Sequence, residues 1–209
     1  MNARRFRISI LGGVALILAA APLAAQPAAP PASGDAPAPS AAEREAAARK
    51  YFTDVPLINQ DGEPMRLYSD LLRGRTVVVN AFFTSCTGVC PVMGQKLKAI
   101  QERFADHLGK DLALISISVD PETDTVPKLK AYAERMGAKP GWYFLAGDKA
   151  NVDQALYKLG QYVEDKEAHT NIMIIGNEAT GLWVKAFGLK PAPELIDVVQ
   201  QVLDDDGTG

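Results

Sequence analysis

Two uninterrupted apolar runs constrain this chain more than anything else in it. Thr76–Phe83 (TVVVNAFF) and Leu112–Val119 (LALISISV) are β-branched and apolar at odd and even positions alike. A strand with one wet face alternates, whereas a strand without alternation is covered on both faces. The surrounding sequence supplies the cover. Leu97, Ile100 and Phe104 recur at helical spacing after Pro91, Val126–Met136 is a second helix ended by Gly137, and Ala150–Leu159 is a third. Trp142–Leu145 is a short strand, Asn171–Ile175 and Leu182–Phe187 flank a turn at Gly176–Gly181, and Pro193–Leu203 is a closing helix. Ahead of the first buried strand, Leu57–Pro64 carries the Asp61-Gly62 signal of a hairpin. The pattern predicts an α/β fold, a central mixed sheet flanked by helices, with an N-terminal hairpin extension.

The N-terminus reads as an address. Arg4, Arg5 and Arg7 precede an uncharged run from Ile8 to Ala25, the layout of an export signal. Eighteen helical residues span roughly 27 Å, just short of a hydrocarbon core of about 30 Å, so a cleaved signal and a single-pass anchor both remain open. No cysteine follows the run to carry a lipid. Residues 1–25 are therefore assigned as signal peptide or anchor, 26–48 as an Ala/Pro-rich tether, 49–203 as the folded domain and 204–209 as an acidic, solvated tail. Across all 209 residues, 22 Lys and Arg face 25 Asp and Glu, a net charge of −3. Without the three N-terminal arginines, 19 basic residues face 25 acidic ones. That balance excludes a basic nucleic-acid footprint.

Chemistry has few places to reside. The chain has two cysteines, Cys86 and Cys90, and two histidines, His107 and His169. The segment Phe83-Thr84-Ser85-Cys86-Thr87-Gly88-Val89-Cys90-Pro91 joins the first buried strand to a helix, with Pro91 in the first turn. This places Cys90 near the N-cap and Cys86 in the loop, where the helix dipole is expected to lower thiol pKa. An inert staple across so short a loop would remove only about 2 kcal/mol of unfolded-state entropy, against about 3 for a fifteen-residue loop. A redox couple and a metal site both remain. Thioredoxin-type catalysts use C-x-x-C, and the extra residue here leaves room for an ion between the sulfurs. Two thiolates leave a copper or zinc site short of donors, and His169, just before the strand NIMII, is the candidate third. His107 suits a helix C-terminus. Met93 and Met173 read as core, Trp142 as packing, and Asp120, Glu122 and Asp124 as a turn that caps the next helix or as a docking or tuning element. A peroxiredoxin is excluded because Phe83 stands where its Thr is required.

Taken together, Cys86–Pro91, the stretch Ser118-Val119-Asp120-Pro121-Glu122-Thr123-Asp124-Thr125, the Trp142 segment and His169 resemble the Sco/SenC family over roughly Val55 to Leu203. The resemblance implies a thioredoxin-like fold and a copper site, Cu(I) with Cu(II) also open, on Cys86, Cys90 and His169. It implies a location in the periplasm with an inner-membrane anchor. It further implies a role in assembling the binuclear copper centre of cytochrome c oxidase, whose apo copper subunit, or another periplasmic copper protein, would be the partner. Two alternatives share the dithiol: a thiol–disulfide oxidoreductase acting on the cysteines of a copper acceptor, and a copper-dependent redox sensor. The family usually has Pro-Asp between its cysteines, where this chain has Thr87-Gly88.

Overall fold

A computed structural model describes residues 39–208. The assigned segment 1–25 and residues 26–38 of the assigned tether lie outside the described residues. Strand β3 (Thr76–Phe82) is buried along its whole length and forms the middle of a five-stranded sheet. It pairs in parallel with β4 (Leu112–Ser118), which pairs in parallel with β5 (Trp142–Leu145). On its other side it pairs antiparallel with β6 (Ile172–Asn177), followed by the antiparallel edge strand β7 (Leu182–Phe187). The sheet is therefore mixed, as the sequence pattern predicts.

Both faces are covered, which explains the unalternating runs. Val78 and Phe82 of β3 point into a core built with α2 (Val89–Arg103), α3 (Val126–Met136) and α5 (Ala192–Leu203), including Leu97, Leu129 and Leu195. Val77, Val79 and Ala81 point into a second core with α4 (Lys149–Lys158) and a π-helical turn at Leu67–Leu72. Asn80 is a buried polar residue in the middle of β3. Its Oδ1 accepts from the Ser116 hydroxyl at 2.7 Å, and that hydroxyl accepts from the Trp142 indole at 3.1 Å. Trp142 is 1% exposed and serves packing, as expected.

The hairpin forms where Asp61-Gly62 predicts it, between β1 (Pro56–Ile58) and β2 (Pro64–Arg66). Asn59 Oδ1 accepts from the amides of both Asp61 and Glu63, organising the turn. The sequence pattern does not anticipate α1 (Ala41–Phe52), whose first eight residues fall in the segment assigned as tether. The Ser40 hydroxyl accepts from the Glu43 amide while Glu43 reaches back to the Ser40 amide, a capping box. Phe52 then docks against Trp183, ring centres 5.1 Å apart, and Arg73 pairs with Glu45 at 2.8 Å. Near its start, Arg44 donates to the carbonyl of Ala179 in the β6–β7 turn. No helix among the described residues is long and apolar enough to cross a membrane.

Gly141, just before β5, has φ +100°, and a Cβ there would run into the backbone of Gly109 and the side chain of Leu108. Neither backbone segment can swing aside. Gly141→Ala is expected to destabilise the fold by at least about 1–3 kcal/mol. The urea midpoint should fall while the slope of the transition stays the same.

Candidate metal centre

The C-terminal end of β3 opens into the loop that carries Cys86, and α2 begins three residues later. Gly88 is the N-cap, and no side chain caps this helix. Cys90 is thus the second helical residue, two positions deeper than the N-cap position that Pro91 suggests. It faces the core beside Phe82 and Met93 and is 4% exposed. Cys86, in the loop, is half-buried. His169 terminates a 3-10 turn (Lys166–Ala168) immediately before β6. Because β6 runs antiparallel to β3, its N-terminal end lies beside the end of β3 that carries the cysteines.

The three donors converge. His169 Nε2 is 3.5 Å from Cys90 Sγ, and the two sulfurs and the imidazole all lie within 4.8 Å of one another. Three donors arranged trigonally around one ion through bonds of about 2.0–2.3 Å, as at zinc, lie roughly 3.5–4.0 Å apart, so the widest pair has to close by less than about 1 Å. The imidazole is already oriented. His169 Nδ1 sits 2.7 Å from the Lys166 carbonyl, which can only accept; Nδ1 therefore carries the proton, and the Nε2 lone pair faces the sulfurs. The Phe83 ring stands edge-on to the imidazole at 5.4 Å. Two soft sulfurs and one imidazole suit a low-coordinate Cu(I). Among the described residues, no other trio of His, Cys, Asp or Glu comes this close.

The expected lowering of thiol pKa is overturned at Cys90. Burial, followed by the contact with Cys86, pushes this thiol up to about 12, and backbone amides of Phe83 and Cys90 offset only part of that. The helix dipole loses to desolvation because the side chain turns inward. A cation binding here would supply the compensating charge that the helix end does not, with release of the proton.

The remaining candidates separate cleanly. Met93 and Met173 are buried in the core, as expected. His107 lies beyond the end of α2, and Asp111 rather than a helix terminus partners it at 2.9 Å. The acidic stretch forms a turn, with the amides of Thr123 and Asp124 donating to the Asp120 carbonyl. It does not cap α3, whose N-cap Thr125 has no side-chain cap. Glu122 is exposed, but Asp124 is 1% exposed and accepts from the Thr84 amide at 3.1 Å, the Thr84 hydroxyl and the Ser118 hydroxyl. Asp120 pairs with Lys166 at 2.7 Å. These contacts reach both loops of the centre, and sequence spacing alone gives no sign of them.

A family model described as SCO1/SenC matches residues 43–203. A SCO1 protein homolog of Bacillus subtilis is 35% identical over 91 residues, 43% of this chain and 45% of that protein. The chain thus matches less than half the length of that curated relative. The crystal structure of Arabidopsis thaliana ScoI with copper bound superposes with a TM-score of 0.60 at 23% identity, covering 73% of this chain and 98% of that one. A structure of BsSco, a member of the Sco family of cytochrome c oxidase assembly proteins, described for a disulfide switch, gives a TM-score of 0.60 at 25% identity, covering 73% and 92%.

The two thiols should differ in reactivity. In the reduced, metal-free protein at pH 7–8, iodoacetamide is expected to label Cys86 first, with Cys90 labelled appreciably only as pH approaches 12. Timed quenching and peptide mass mapping report the order; prior labelling of Cys90 at neutral pH would contradict the burial argument.

Proposed function

The chain belongs to the SCO1/SenC family, and on that footing we propose that it is an exported copper-binding protein that delivers copper to, or helps assemble, the binuclear copper centre of cytochrome c oxidase. Cys86, Cys90 and His169 hold the ion. The observation that carries this reading is the 3.5 Å approach of His169 Nε2 to Cys90 Sγ, with the imidazole tautomer preset by the Lys166 carbonyl. The copper-bound Arabidopsis relative and the membership of BsSco in a family of cytochrome c oxidase assembly proteins support it.

Each residue has a distinct task. Cys90 anchors the ion from the buried side. Cys86 faces outward and is the sulfur that an acceptor thiol displaces first, so copper leaves by stepwise exchange of ligands. His169 closes the third side, and its neutral imidazole adds no charge to repel the cation. The basic start and apolar run of residues 1–25 support a periplasmic location, by a cleaved signal or an inner-membrane anchor. An anchor would raise the effective concentration at a membrane-bound client. Thr87-Gly88 places no carboxylate between the cysteines, which leaves the thiolates as the negative groups of that loop.

A second reading, thiol–disulfide exchange with the cysteines of a copper acceptor, draws on one observation. Both cysteines are free, one reachable and one buried, as an attacking and a resolving thiol would be.

Titration of the reduced chain with Cu(I) against a chromophoric competitor separates the readings. Cys86→Ala, Cys90→Ala and His169→Ala should each weaken copper by more than the roughly 100-fold typical of losing an outer partner. Retention of one tight copper by all three variants would refute the copper site. Disulfide reduction that survives His169→Ala but not Cys86→Ala would instead favour the oxidoreductase.

A further inference from the structure

The loop between β4 and α3 grips both arms of the centre. Asp124 is buried yet carries no cation. Its oxygens accept from the Thr84 amide and hydroxyl, two residues before Cys86, and from the Ser118 hydroxyl at the end of β4. A carboxylate is retained at such a depth only where its hydrogen bonds replace those of water. The same Ser118 hydroxyl accepts from the Asp120 amide at 2.9 Å, so both acids are referenced to one fixed point on the sheet. Asp120 then holds the Lys166 ammonium at 2.7 Å, with the Asp120 side chain 14% exposed, and the Lys166 carbonyl orients His169 Nδ1. The Lys166 ammonium also lies 5.4 Å from the centre of the Phe83 ring, which itself abuts the imidazole.

We infer that Asp124 and Asp120 are positioning residues of a single brace, in which Asp124 sets the cysteine arm and Asp120, through Lys166, sets the histidine arm. The spacing between sulfurs and imidazole is then a property of the β4–α3 loop. This inference rests on the copper reading above. Within the arms the local support is short-range: the cysteine loop has no side-chain cap on α2, and His169 follows a single 3-10 turn capped by Asp165.

The test uses the full chain in two measurements. In Cu(I) competition, Lys166→Met and Asp120→Asn should each weaken binding by about 10- to 100-fold, the range for partners that orient a ligand. Lys166→Arg, which keeps the pair, should stay close to wild type. In a His169→Ala background, Lys166→Met should cost nothing more, because the arm it orients is gone. Thr84→Val, which keeps the amide and loses the hydroxyl, should weaken copper in both backgrounds, because it acts on the sulfurs; it also serves should Asp124→Asn not fold. Lys166→Met and Asp120→Asn change the charge in opposite directions, so opposite effects on affinity would point to simple electrostatics and overturn the brace. Equal losses from Lys166→Met with and without His169 would also overturn it. So would wild-type affinity in Lys166→Met, Asp120→Asn and Thr84→Val alike.

The second measurement needs no metal. Nitrogen NMR of the reduced apo protein should show His169 as one tautomer with the proton on Nδ1, and an averaged imidazole in Lys166→Met. An unchanged spectrum would refute the histidine half of the brace. If the wild-type chain binds no copper through these residues, the functional reading falls while this spectrum still judges the brace.

Discussion

The antiparallel pairing of β6 against β3 is the constraint on which the candidate metal centre depends. Val79 of β3 lies opposite Ile174 of β6, so the chain leaving β3 and the chain entering β6 emerge at the same end of the sheet. Seventy-nine residues separate Cys90 from His169 along the chain, and this pairing closes that distance to 3.5 Å. Each of the two strands is fixed by burial, not by the site. Slipping either by one residue would exchange its inward and outward side chains across two filled cores, so the register is held by far more than the few polar contacts at the centre.

Within that frame, the chemistry is decided by competition between burial and charge. The positive end of α2 favours a thiolate, but the first turn also has to present an apolar face to Phe82 and Met93, and Cys90 is on that face. Desolvation prevails, and Cys90 remains a protonated thiol at neutral pH until something positive arrives. Asp124 lies at similar depth. It keeps its place in the interior because three donors converge on it, two from Thr84 in the loop that carries Cys86 and one from Ser118 at the end of β4.

What could be read from the sequence follows from what is periodic or chemically rare. The unalternating strands announced the two-sided sheet, Asp61-Gly62 announced the hairpin, and the scarcity of cysteine and histidine singled out the convergent trio. Three features escaped. Helix α1 lies in an Ala-rich stretch continuous with a Pro/Ala run, where the useful signal was the Ser40-Ala41-Ala42-Glu43 capping box. The depth of Cys90 depended on where α2 starts, and a helix capped by Gly88 offers no side-chain marker for its first residue. The acidic stretch read as a helix cap or as a docking or tuning element; that Asp124 and Asp120 turn toward other loops is a matter of tertiary contacts with no local periodicity.

Helix α1 and the candidate site occupy different levels of the sheet. Arg44 contacts Ala179 in the β6–β7 turn, whereas His169 precedes the other end of β6. Six residues of strand, roughly 20 Å, separate the two levels. Helix α1 is therefore fastened at one end of the sheet, and Cys86 and His169 lie at the other. A partner approaching Cys86 and His169 meets the end of the sheet opposite the Arg44–Ala179 contact.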